Sequence, residues 1–156
     1  MKKIPVILIM LLVLLFPQGC NKGNAQGIFG VYEFDEAVYL SPFSSLTKES
    51  LNRQMKGSKY TIREDLFRID SRGYTVEYSS PEYVMESIPD DPDAFGSLFT
   101  FIPEGADCQY AIYDKNGTRT KWRLYVSPDS LWIGNIHDNT RDGSEIVMYI
   151  YKLSKQ

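Results

Sequence analysis

One histidine, His137, stands beside Asp138 in a sequence of 156 residues. Serine, cysteine or metal chemistry that relies on an imidazole would have to pass through it. The neighbouring carboxylate could raise its basicity. No Gly-x-Ser-x-Gly elbow accompanies it, and no His/Cys cluster has zinc spacing. Without a nucleophile motif the pair reads as a solvated loop. The sequence therefore predicts no catalytic residue and no cofactor. An envelope hydrolase using His137 with Asp138 or an acidic loop stands as the third reading, behind the two given below.

Metal chemistry is similarly thin. Residues 138–143 echo a calcium loop, which needs oxygen ligands at positions 1, 3 and 5 and a glycine at 6. Thr140 is a poor third ligand, Arg141 puts a cation inside, and Tyr149 stands where the glutamate should be. Asp90, Asp91 and Asp93, with Glu82 and Glu86 upstream, form the densest acidic patch. Clustered acids of this kind are usually solvated, so no metal is expected.

Arg119, Lys121 and Arg123 alternate along one strand face beside Tyr125. They could grip an anionic group, but alternating charge is ordinary for an outward strand face. The opposite face carries Trp122 and Leu124. The 11 tyrosines combine apolar area with a hydroxyl, which suits strands and ligand stacking alike. A net charge of -3 without a basic block argues against a nucleic-acid partner.

The chain opens with an address. Met1-Lys2-Lys3 is a short positive region, and 4–16 is an apolar run containing Pro5. That run is too short to span a bilayer, which takes about 20 residues, and fits a secretory leader. Pro17-Gln18-Gly19-Cys20 follows. Gly19 and Cys20 resemble a bacterial lipobox, in which the thiol is diacylated and becomes the new N-terminus; Pro17 and Gln18 depart from it. The rival reading is ordinary cleavage after Ala25, which would discard Cys20. The expected division is 1–19 as leader, 20–27 as a flexible tether from lipidated Cys20, and 28–156 as a single domain. Acyl chains would then supply the membrane affinity. Asn21, rather than Asp, after the cysteine resembles the enteric rule for outer-membrane delivery. Acylation of Cys20 would use the only other thiol and leave the core alone to hold the fold. A retained, unacylated Cys20 could instead bridge to Cys108, whose bland role is a small buried residue starting a strand.

Period-2 alternation fills the mature body. Strands are predicted over 30–40, 59–63, 66–70, 74–78, 83–88, 109–114, 118–126, 131–136 and 145–153, with a buried apolar run at 98–102. The single helix is expected near 47–56, with Thr47 as N-cap, Leu46 and Leu51 as a hydrophobic staple, Leu51 and Met55 on one face, and Gly57 as the stop. Ser79-Ser80-Pro81 breaks the chain, and Asn116-Gly117 is a type I′ turn signal. The 145–153 strand is apolar on both faces and should be central or close a barrel. Short connections favour an all-β, up-and-down antiparallel meander, which hides its edges best by closing into a barrel, with the helix plugging one end.

The chain resembles the small lipocalin-like lipoproteins of Bacteroidetes-type bacteria. Gly30-Val31-Tyr32 opening the first strand, the helix-then-strands order over 46–69 and the terminal EIVMYIYKL carry the likeness. Lipocalins proper have Trp where Tyr32 stands, with a basic residue from late in the chain packed over it; Lys152 would be that residue here. The resemblance implies a ligand-holding barrel without catalysis. The first reading is therefore a lipid-anchored envelope protein that binds a small amphipathic or apolar ligand through inward-facing Tyr32, Phe34, Tyr60, Ile62, Trp122 and Leu124. The second is a packed barrel that acts as a protein–protein interaction module or inhibitor in the envelope.

Overall fold

The computed structural model describes residues 25–88, 101–138 and 145–156. Within them the alternating segments form β1 (Gly30–Leu40), β2 (Lys59–Ile62), β3 (Leu66–Ser71), β4 (Tyr74–Ser79) and β5 (Glu82–Glu86). A second group follows: β6 (Cys108–Tyr113), β7 (Arg119–Val126), β8 (Leu131–Asp138) and β9 (Glu145–Lys155). A 3-10 turn (Ala25–Ile28) precedes β1, and one helix, α1 (Lys48–Met55), follows it.

All of these strands share one sheet, in the order β4-β3-β2-β1-β9-β8-β7-β6-β5. Every neighbouring pair is antiparallel. Two meanders are thus joined where the first strand pairs with the last. The sheet curls through 263° and stays open, a half-barrel rather than the closed barrel expected from the sequence.

The reason lies at 79–81. The edge strands β4 and β5 occupy odd places in an alternating sheet, so they run in the same direction. Only Ser80 and Pro81 separate them. They are two halves of one run that pairs first with β3 and then, past the break, with β6. Ser80 takes a left-handed φ of 49°, and Pro81 has no N–H to offer a ladder. Parallel neighbours need a crossover of a dozen or more residues, so these two consecutive segments cannot close the seam by pairing with each other.

The concave side is the core. Tyr32, Tyr60, Ile62, Phe67, Ile69, Trp122, Leu124, Ile133 and Tyr151 are buried there in one cluster, with Phe34 half-buried against it. Phe67 of β3 and Trp122 of β7 come from opposite walls, yet their ring centroids are 6.4 Å apart. The lumen is filled at that level. Helix α1 covers one end, with Leu51 and Met55 buried in the same cluster. Thr47 caps it as expected: its Oγ1 accepts from the Ser50 N–H at 3.2 Å. Leu46 stays 40% exposed, so the staple adds little. Asn52 Oδ1 instead accepts from the Ala37 N–H at 2.8 Å and ties the helix to β1.

The first strand begins as the resemblance implied, with one correction. Lys155, not Lys152, lies over Tyr32, with Nζ 6.0 Å from the ring centroid. The β1–β9 register puts Tyr32 opposite Lys155 and sends Lys152 to the other face. Gly30 suits the same packing: a Cβ there would sit tightly against Lys155 Cε at 3.1 Å and the Tyr32 ring at 3.2 Å. The Tyr32 hydroxyl donates to Ile28 C=O at 2.9 Å, which fixes the 3-10 turn beneath the sheet.

One further reading is corrected. Asn116-Gly117 does not make a type I′ turn, because only Gly117 has positive φ (75°). Asp114 Oδ1 accepts from the N–H groups of Asn116 and Thr118, both at 2.9 Å, and so holds Asn116 out of the left-handed region. Phe101 and Ile102 do not form a strand. Phe101 stacks on Tyr39 at 4.5 Å, covering the convex face over a second cluster of Tyr125, Trp132, Ile136, Val147 and Ile150; the rest of the 98–102 run lies outside the described residues. That cover explains why β9, central as expected, is apolar on both faces. A register shift beside Met148 puts Val147 with Ile150 on the outside rather than with Tyr149.

Cys108 begins β6 and is buried, as read. The sequence holds one other cysteine, Cys20, which lies outside the described residues.

Replacing Thr47 by Ala should lower stability by about 1 kcal/mol, while Thr47→Ser should be close to neutral. Ile133→Ala, at a site with 0% exposure, should lose roughly 2–5 kcal/mol. Urea denaturation measures all three, and a Thr47→Ala loss as large as that of Ile133→Ala would contradict a purely local cap.

Candidate functional site

The six side chains expected to face inward, Tyr32, Phe34, Tyr60, Ile62, Trp122 and Leu124, do share the concave core. Period 2 sends Trp122 and Leu124 inward and leaves Arg119, Lys121 and Arg123 on the convex side. The core is not purely apolar. Tyr60 Oη, Trp122 Nε1 and Asn135 Nδ2 are buried without a hydrogen-bond partner. The Tyr78 hydroxyl interacts with the Trp122 indole but misses hydrogen-bonding geometry. Tyr149 and Tyr151 stack beside them with centroids 4.6 Å apart. Burial raises the Tyr60, Tyr149 and Tyr151 hydroxyls above the ordinary tyrosine value of 10.0, and neighbouring tyrosines push Tyr60 and Tyr151 further.

A cleft of about 270 Å³ opens at one end of this core. Its origin is in the ladder. Strands β7 and β8 pair from Val126–Leu131 only as far as Trp122–Asn135. Beyond that point β8 continues against β9, and Arg119 continues against β6. The two strands splay, and Trp122 N–H donates to Thr120 Oγ1 at 3.2 Å. Thr120, Lys121 and Trp122 line one side of the cleft, Ile136, His137 and Asp138 the other. His137 Nε2 lies 2.9 Å from Asn135 Oδ1.

Arg119, Arg123 and Glu145 complete the wall through an ion-pair lattice that the sequence did not reveal. Arg119 reaches Glu145 Oε1 at 2.6 Å and Glu86 Oε1 at 2.9 Å. Arg123 Nη2 is 2.8 Å from Glu145 Oε2 and 3.7 Å from Glu86 Oε2. Three strands, β5, β7 and β9, are thereby laced across their convex face. Arg123 is 7% exposed, not the solvated cation foreseen, and its Nε is buried without a partner. Burial opposes its charge, but the Tyr125 hydroxyl and the Glu145 and Glu86 carboxylates overcome this and hold its pKa above the ordinary arginine value. The signal was present as Glu86 and Glu145, yet their separation of 59 positions hid the pairing.

The other candidates divide. His137 and Asp138 belong to the cleft, whereas residues 139–143 of the calcium-like loop and the acidic 90–93 stretch lie outside the described residues. Among the described residues no group of three or more His, Cys, Asp and Glu side chains could hold a metal ion. Cys20 also lies outside them. Comparison with known proteins finds no match: no family model, no curated protein and no solved structure.

The buried hydroxyls give a pH prediction. A folded pKa raised above the unfolded one contributes stability that is intact below the unfolded value and is lost as pH rises beyond it. Stability should therefore fall from about pH 10 upward as Tyr60, Tyr149 and Tyr151 resist ionisation. In an alkaline titration, part of the tyrosinate absorbance should appear only together with loss of the far-UV CD signal. Complete ionisation in one step ahead of unfolding would contradict the burial.

Proposed function

We propose that this protein is an exported, lipid-anchored envelope protein whose lipocalin-like half-barrel is a non-enzymatic binding module for a small amphipathic ligand. The observation that carries the reading is the set of buried polar groups without partners, Tyr60 Oη, Trp122 Nε1 and Asn135 Nδ2, in an otherwise apolar core. Each such orphan costs roughly 1–3 kcal/mol, and native proteins keep few of them without a reason. A ligand with a polar end would relieve that cost, while Tyr32, Phe34, Ile62 and Leu124 would supply apolar surface. The leader and Cys20 support export and anchoring, and Asn21 supports the outer membrane as the destination. The Gly30–Tyr32–Lys155 packing supports the lipocalin-like comparison.

One observation favours the second reading, a packed barrel that contacts an envelope protein: the Phe67 and Trp122 rings of opposite walls already touch. Native mass spectrometry of the protein purified gently from its own host separates the two. A reproducible added mass that disappears on denaturation supports the ligand reading; a clean apo mass in every preparation, with a co-purifying envelope protein, supports the second. The same experiment addresses the anchor. Acylation of Cys20 and a bridge from it to Cys108 exclude each other. An intact mass carrying acyl chains, and loss of membrane association in Cys20→Ala, are expected. An unacylated chain whose mass rises on reduction would overturn the anchor and leave the bridge.

A further inference from the structure

We infer that the groove between α1 and the β3–β4 turn binds a phosphate monoester. The groove lies apart from the packed lumen, so the inference goes beyond the binding reading above and stands or falls separately from it.

The groove has a volume of about 530 Å³, within the range of small-ligand sites. Ser50, Arg53 and Gln54 line it from one face of α1, at spacings i, i+3 and i+4. Arg72 and Tyr74 line it from the turn that joins β3 to β4. The two walls are tied to each other without a ligand. Ser58 Oγ, just past the helix, lies 2.7 Å from Ser71 Oγ at the turn. Ser71 Oγ and Tyr74 Oη reach Met55 Sδ, at 3.7 and 3.8 Å. Such a preformed site loses little freedom on binding. Its charge is one-sided. Among the described residues no carboxylate lines it. Arg68, Arg119 and Arg123 each hold a carboxylate, whereas Arg53 and Arg72 have no ion-pair partner among the described residues. The planar guanidinium fork matches phosphate oxygens. A phosphate monoester carries about −1.5 to −2 charges at neutral pH and so balances both arginines, where a lone carboxylate would leave one unmatched. Ser50 and Gln54 add neutral donors and acceptors for hydroxyl groups beside the phosphate. The Tyr74 ring, 42% exposed, gives flat apolar surface for the carbon body of the ester.

Isothermal titration calorimetry with glucose 6-phosphate and with glucose tests the site, in a Cys20→Ala background so that no acyl chain contributes. The variants are Arg53→Gln, Arg72→Gln and the control Arg63→Gln, which removes an exposed arginine outside the groove. All three positions are exposed, and far-UV CD checks that each variant folds as its parent does. Glucose 6-phosphate should bind at least about tenfold more tightly than glucose. Arg53→Gln and Arg72→Gln should each weaken it about tenfold, the scale of one charge-assisted hydrogen bond, and Arg63→Gln should leave it unchanged. Flotation with phosphatidylcholine vesicles, with and without phosphatidic acid, separates a lipid head group from a soluble ester. Binding only to the phosphatidic acid vesicles, lost in Arg53→Gln and Arg72→Gln, would support the site and place the phosphate on a lipid. Binding that survives Arg53→Gln or Arg72→Gln unchanged, or that falls equally in Arg63→Gln, would overturn the groove. Failure of both glucose 6-phosphate and phosphatidic acid vesicles to bind would overturn the phosphate class. None of these outcomes bears on a ligand in the lumen, which the host-derived mass decides.

Discussion

The pairing of the first strand with the last holds this structure together. Without the β1–β9 ladder the chain would be two separate meanders, one running from β1 to β4 and the other from β5 to β9. Its register places Tyr32 opposite Lys155 and Phe34 opposite Leu153. Those pairs seed the concave core: Phe34 meets Tyr151 edge-to-face at 5.2 Å, and Lys155 closes over Tyr32. The ladder joins chain ends far apart in sequence, and such long-range pairing is intrinsically slow to form.

Filling a half-barrel with aromatic rings has a polar consequence. Tyrosine and tryptophan bring large apolar area, but each also brings a hydroxyl or an indole N–H that must be placed. Several are: Tyr32 donates to Ile28, and Tyr83 donates to Arg63 C=O at 3.0 Å, where β5 passes the β2–β3 turn. Tyr60, Trp122 and Asn135 are not. The core is therefore large in apolar area and under-satisfied by hydrogen bonding.

The convex face solves a different problem. Part of it is an apolar cluster with Phe101 packed against it; another part is held by the Arg119–Arg123–Glu86–Glu145 lattice. The lattice spans the point where β7 and β8 separate. It keeps β5, β7 and β9 in place after the ladder between β7 and β8 has ended. The sheet can open a cleft there without fraying, because charge-assisted bonds substitute locally for backbone pairing.

The sequence by itself determined the elements. Period-2 alternation marked the strands, Thr47, Leu51, Met55 and Gly57 marked the helix, and both apolar faces of 145–153 marked a central strand. These signals are local and survive without knowledge of neighbours. It also sorted the inward side chains, since the alternation in β7 sends Trp122 and Leu124 one way and the cations the other. Only the tertiary structure decided that the barrel stays open, because that depends on Ser80 and Pro81 changing pairing partner in mid-run. It alone exchanged Lys152 for Lys155, because bulges in β1 set the register of a partner more than a hundred residues away. The same holds for Arg123: its type and spacing read as a solvent face, and its burial follows from carboxylates on two other strands that no local pattern connects.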